Sequence, residues 1–345
     1  MFESIISSHF AKLGTALSKS FTRYVSGTIS ACSSSTYEIA RHVCKANNMS
    51  FNTNEKGLNY LLNNDNFQVD DNYWRMHMKM IFELMSEQDL LRNGEKVYIQ
   101  VDFTSNQEDF LILCASIIVN NRSVPLYFTM RNYPKKKNQY DHKKMELAFL
   151  KGLKHLLSKK YQYVIVADRG FGNKRFIEAC EQTGFEYLIR MEPNMNIEYG
   201  DAIGIMEEIC DSDQIYEIEV KKWRKKLTIH KHSNEAGSWY LASNIKDLKH
   251  SKSLEIYKDR FKIEKCFQDL KSSGFDIESS KIRKYSNYKR LLVLCMAAHG
   301  LLVLFGNFIV CKMPAFLKNS AEMASAISAY FQSEKRHTLY FQKNN

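Results

Sequence analysis

Apolar positions in the first 90 residues recur with a helical period. SSSTYEIARHVCKANN carries a Ser35–Glu38 capping-box pair at its start, TNEKGLNYLLNN follows a polar turn, and DDNYWRMHMKMIFELMSEQDLL is a longer amphipathic stretch. From residue 95 the period shortens to two. EKVYIQVDFTSN, DFLILCASIIVNN and SVPLYFTMRNY are β-rich runs separated by short polar turns, the pattern of an antiparallel meander. A basic loop with PKKKNQYDHKK leads into a helix, and YQYVIVADRGFGN then reads as a strand buried on both faces. A helix over 173–183 and the strand FEYLIRME come next.

The order β-β-β-α-β-α-β, followed by a helix over 254–273, matches a ribonuclease-H-like α/β fold. Between the last strand and that helix, QIYEIEVKKWRKKLTIHKH and SWYLASNI alternate as strands do and predict a β-rich insertion. The predicted organisation is a helical N-terminal region over 1–92, a first core part over 93–191 and the insertion over 192–250. A second core part over 251–310 and a helical tail over 311–345 complete it. The two short N-terminal helices around a turn suit a DNA-binding module. The run LLVLCMAAHGLLVLFGNFIVC could span a bilayer by length, but His299, Gly300, Gly306 and Asn307 within it predict a helix buried in a soluble core.

Charge changes the picture more than composition does. Lys and Arg outnumber Asp and Glu by 49 to 38, a net +11 that favours a polyanionic partner, nucleic acid ahead of an anionic membrane. Eight cysteines without a Cys-x-x-Cys pair argue against a zinc ribbon or a disulfide framework and fit a reducing cytoplasm. The start MFESIISSHFAKLG has no basic region followed by an apolar core, so no signal peptide is expected.

Three acids carry the candidate chemistry. Asp102 lies inside the first strand, where a carboxylate is costly unless paired or metal-bound. Asp168 ends the YVIVAD strand, at the edge where sites form in open α/β sheets. In YKDRFKIEKCFQDLK, at about 100° per residue, Tyr257, Arg260, Glu264 and Lys271 fall within an arc of roughly 60°. Ile256, Ile263, Cys266, Phe267 and Leu270 fall on a neighbouring arc that must be buried. Clustered carboxylates with no nearby His or Cys select magnesium or manganese. The competing assignment makes Asp102 and Asp168 caps, and Arg260–Glu264 a surface pair contributing a few tenths of a kcal/mol.

The spacing Tyr-x2-Arg-x3-Glu-x6-Lys resembles the YREK signature of DDE transposases from bacterial insertion sequences. VDFTSN and VADRGF look like the family's first and second aspartate motifs. The resemblance implies that Asp102, Asp168 and Glu264 bind two catalytic ions, Mg2+ with Mn2+ as substitute. It implies that Tyr257, Arg260 and Lys271 hold the phosphate backbone of the element's end. Trp239 in SWYLASN matches a tryptophan that stacks on a flipped base, with strand packing as its alternative role. Arg169 and Arg190 match basic positions that touch DNA. The implied activity is metal-dependent cleavage and strand transfer on double-stranded DNA, at terminal inverted repeats and a target, in cut-and-paste transposition. A hairpin intermediate, a homodimer holding two ends, and a location at the nucleoid in the bacterial cytoplasm are implied with it. The alternatives are a metal-dependent nuclease without strand transfer and a non-catalytic transposase-derived DNA-binding protein. KKWRKK reads as a basic hairpin suited to DNA or simply to water. His230 and His232 read as surface residues on one strand face, and Cys295 and Cys311 as buried apolar residues.

Overall fold

Side-chain caps set where the N-terminal helices begin. Ser35 Oγ accepts the Glu38 N–H ahead of α3 (Thr36–Asn47), and Ser50 Oγ accepts the Thr53 N–H ahead of α4 (Phe51–Asn63). Asp70 accepts the Asn72 and Tyr73 N–H groups ahead of α5 (Asp71–Glu87). Each satisfies a donor that has no partner inside its helix. The predicted capping box closes on one side only, because the Glu38 carboxylate pairs with Arg41. With α1 (Phe2–His9) and α2 (Thr15–Ala31), these helices pack beside α11 (Tyr285–Lys312). The computed structural model describes residues 2–312 apart from 93, 107–108, 120, 134–141 and 235–236. Most of the basic PKKKNQYDHKK loop and the predicted tail beyond 312 lie outside the described residues.

The chain is mixed α/β, with one large mixed sheet and helices at both ends. β1 (Lys96–Asn106), β2 (Phe110–Val119) and β3 (Arg122–Asn132) form the expected meander. α6 (His142–Leu156) leads to β4 (Gln162–Ala167), and α7 (Lys174–Gln182) leads to β5 (Glu186–Met191). β4 lies parallel to both β1 and β5. The insertion holds β6 (Asn196–Tyr199), β7 (Ala202–Ile205), the short α8 (Met206–Ile209), β8 (Ile215–Val220), β9 (Lys225–Asn234) and β10 (Gly237–Ser243). Sequence alternation located β8, β9 and β10. It missed β6 and β7, which have only four residues each, too few to show a period. β10 pairs antiparallel with β5, so the ten strands run β3-β2-β1-β4-β5-β10-β9-β8-β6-β7.

The helix expected over 254–273 is broken. α9 (His250–Asp259) and α10 (Lys262–Gln268) are joined by a tightened step, in which the N–H groups of Arg260, Ile263 and Glu264 bond carbonyls three residues back. A wider π turn, Asp269–Ser273, follows. A three-residue step turns the chain about 120° per residue instead of about 100°. Tyr257 and Arg260, before the step, are 1% and 4% exposed, while the Glu264 side chain beyond it is 54% exposed. Arg260 and Glu264 still adjoin as the arc predicts, but the face they share is not uniformly exposed. The apolar arc holds: Ile256, Ile263, Cys266, Phe267 and Leu270 are all buried.

Burial also decides two other readings. α11 is long and apolar enough to cross a bilayer, and 94% of its apolar window is packed inside the protein. Cys295 is buried as expected, and the Cys311 side chain is outside the described set. His230 and His232 are not surface residues. The start of α9 covers them, His250 stacks on both rings, and His232 bonds Ser253 Oγ at 2.8 Å. Strand alternation correctly put the pair on one face, but nothing local says which element covers that face.

Candidate active site

Parallel pairing of β1 with β4 places Val101 opposite Ala167, so Asp102 and Asp168 follow at neighbouring strand positions. In the same way Ala167 lies opposite Ile189, which sets Arg190 beside Asp168. Arg190 pairs in turn with Leu241 of β10, and its guanidinium lies 5.5 Å over the ring of Trp239. Two acids, a cation and an indole thus follow one another across four adjacent strands. The loop after Asp168 is folded tightly enough to keep the row open. Asp168 Oδ1 accepts the Gly170 N–H at 2.9 Å, and a Cβ on Gly172 would stand 2.5 Å from the Arg190 carbonyl oxygen.

The broken helix closes this row from above. Arg260 Nη1 donates to Asp102 Oδ2 at 3.2 Å and Nη2 to Glu264 Oε1 at 2.8 Å, so one guanidinium bridges an acid of β1 and an acid of α10. The Phe261 ring lies 4.3 Å from that guanidinium, with Tyr257 on another side. Trp239 packs edge-on against Tyr257 at 5.2 Å and tilted against Phe261 at 5.9 Å. Burial pushes the Asp102 carboxyl up to about 6, and the Asp168 charge adds to the rise. Arg260 and the Phe103 N–H pull it down, while Glu264 raises it slightly. A carboxylate that needs a cation, held beside two further acids, is the electrostatic signature of a cation site.

Of the nine residues singled out in the sequence, seven meet here: Asp102, Asp168, Glu264, Tyr257, Arg260, Arg190 and Trp239. Arg169 does not; it is exposed and pairs with Glu192 at 3.2 Å. Lys271 stands on the π turn, 3.6 Å from Glu278, and lines a small cavity with Thr104, Asn106 and Cys114. Phe261 escaped the sequence reading. Its only signal was an aromatic residue directly after Arg260 on a helix face otherwise charged. In the KKWRKK turn, Lys221 and Lys225 are tied to Glu198 and Glu181, which leaves less charge free there than the sequence implied.

The donor chemistry fits a hard divalent cation: carboxylate oxygens, with no His or Cys among them. Among the described residues, no three His, Cys, Asp or Glu side chains converge closely enough to hold an ion in this arrangement. Arg260 fills the space between Asp102 and Glu264.

Structural likeness to solved proteins is slight. Endonuclease V from Bacillus subtilis matches at 9% identity, over 54% of this chain and 81% of that one, with a TM-score of 0.28. Endonuclease V from Ciona intestinalis, solved with a 23-mer DNA containing an inosine followed by a ribo-adenosine, matches at 13% identity. That likeness covers 52% of this chain and 88% of the other, with a TM-score of 0.28. No curated protein matches in sequence. The transposase DDE domain family matches residues 114–301, more than half of the chain, including every element of the site except β1. Asp102 lies outside that span; it stands level with Asp168 through the β1–β4 pairing and shares the Arg260 guanidinium with Glu264. The chain belongs to the transposase DDE domain family.

Proposed function

We propose that this protein is a DNA transposase of the YREK group, with a ribonuclease-H-like core, that cleaves and rejoins DNA at the ends of an insertion sequence. The observation that carries the reading is the Arg260 guanidinium bridging Asp102 of β1 and Glu264 of α10, with Asp168 level with Asp102 at the end of the neighbouring β4. Asp102, Asp168 and Glu264 would hold divalent cations, magnesium or manganese. Such ions, when bound, activate the attacking oxygen and stabilise the leaving oxygen of a phosphodiester.

The chain's own residues do the positioning. Arg260 and Lys271 would take the phosphate backbone of arriving DNA, Arg260 with a planar fork that matches two phosphate oxygens once it leaves the carboxylates. Trp239, half-buried against Tyr257 and Phe261, offers a ring face for a displaced base, which contributes about 1–3 kcal/mol when stacked. Arg190 holds that indole from the sheet side. Helices α1–α5 form the region that recognises the ends, and two copies hold two ends together.

The test is cleavage of duplex DNA carrying the element's own flanking ends. Changing Asp102, Asp168 or Glu264 to Ala is expected to abolish cutting while leaving DNA binding within about threefold. Asp102→Cys is expected to be dead in magnesium and partly restored in manganese, which accepts sulfur better. An Ala variant that cuts at a near-normal rate removes that acid from the site. Nicked product without joined product would favour the nuclease reading.

A further inference from the structure

We propose that Arg260 is a resident counter-ion that keeps divalent metal off the acids until DNA arrives. The proposal rests on the transposase reading above and adds to it an order of events. The guanidinium lies between Asp102 and Glu264, bonded to both, and is 4% exposed. A cation placed to draw these two carboxylates together must take the ground that the guanidinium now holds. Two positive charges cannot share it without strong mutual repulsion.

The guanidinium is also incompletely satisfied where it is. Its Nη atoms meet carboxylates, but its Nε is buried with no hydrogen-bond partner. On its other side the Phe261 ring, 39% exposed, separates it from solvent. A backbone phosphate arriving at that ring offers a bidentate acceptor to a group that has one donor unused. Swinging to the phosphate frees Asp102 and Glu264 together. DNA and metal binding are then coupled, and the coupling is reciprocal: each ligand favours the other by the same factor. Without DNA the acids are neutralised internally, and a metal-loaded nuclease does not stand ready against unbound nucleic acid.

The test is Mn2+ binding to the full chain, read from the loss of the free-ion electron paramagnetic resonance signal, with no DNA present. Arg260→Gln is expected to tighten Mn2+ binding by about tenfold, within the usual range of such couplings. Lys262→Gln removes a charge two residues away that pairs with Asp259, and is expected to change it less than twofold. Asp102→Ala is expected to abolish the tight binding. Adding a saturating 30-base-pair duplex should tighten Mn2+ binding more in the unaltered protein than in Arg260→Gln. Circular dichroism reports folding in the same samples. If Arg260→Gln does not fold, Arg260→Lys takes its place, because a point charge reaches one carboxylate at a time and should give a smaller rise. Unchanged or weaker binding in the Arg260 variant, or equal tightening by DNA in both proteins, overturns the counter-ion role. So does an equal rise in Lys262→Gln. Mn2+ binding that survives Asp102→Ala overturns the metal reading itself.

Discussion

Two buried arginines meet carboxylates of the same broken helix, and they are built differently. Arg122, from β3, reaches Asp269 at 3.2 Å with both side chains 5% exposed. Arg260 reaches Asp102 and Glu264 with exposures of 5%, 17% and 54%. The first site is closed on all sides and sits beneath α10. The second is a gradient, dry at the strand and wet at the helix, with Asp168 adding a third acid near the dry end. A closed pair fixes the helix on the sheet. An open one, with more acids than cations, leaves room for something to be exchanged.

Stability separates the two sites. Asp269→Ala removes the buried carboxylate that the Arg122 guanidinium bonds and is expected to destabilise the protein by about 3–5 kcal/mol, read from denaturant unfolding. A loss below about 1 kcal/mol would put the two sites in one class. The histidines under α9 belong with the closed kind, and they respond to pH. Burial, with His250 alongside, holds both His230 and His232 down to about 4. In the unfolded chain each takes up a proton near 6.5. The unfolded state therefore binds more protons between pH 6.5 and 4, and the stability present above pH 6.5 is lost as pH falls through that window. At pH 5 each histidine is expected to contribute about 1–2 kcal/mol of that loss. His230→Phe should flatten the dependence of Tm on pH over the same range, and an unaltered slope would remove His230 from the account. Smallest of all is Glu264→Gln. A half-exposed acid carries little stability, so a change within about 1 kcal/mol is expected, together with loss of DNA cleavage. A large loss of stability with cleavage intact would reverse the comparison.

Local chemistry explains what could be read from the chain alone. The Ser35 cap, the meander and the doubly buried β4 depend on neighbouring residues, and these were legible. So were the positions of the two aspartates, Asp102 as an acid inside an apolar strand and Asp168 as an acid ending one, which parallel pairing of β1 with β4 brings level. The winding of the helix was not. Its tightened step at 260–264 goes with the packing of α10 on β1 and β3 and its π turn packs on α11, and uniform 100° spacing could not show that Arg260 is buried while Glu264 stays out. The same limit hid Phe261, and it hid the burial of His230 and His232 under α9. The closing of the sheet through β10 and β5 is a long-range pairing that alternation within either strand does not encode.

Asp102 and Arg260 stand 158 residues apart, and that distance has a consequence for the protein as it is being made. Asp102 and Asp168 are translated early and are brought level by β1 and β4, before the guanidinium that bonds Asp102 has been made. Their mutual repulsion acts against the pairing of those strands until the ribosome has delivered α9 and α10. A nascent chain that has not reached residue 260 thus lacks the guanidinium that offsets the Asp102 charge. The strand pair becomes comfortable, and the third acid becomes available, in the same stretch of synthesis. Assembly of the site in that sense waits for α9 and α10.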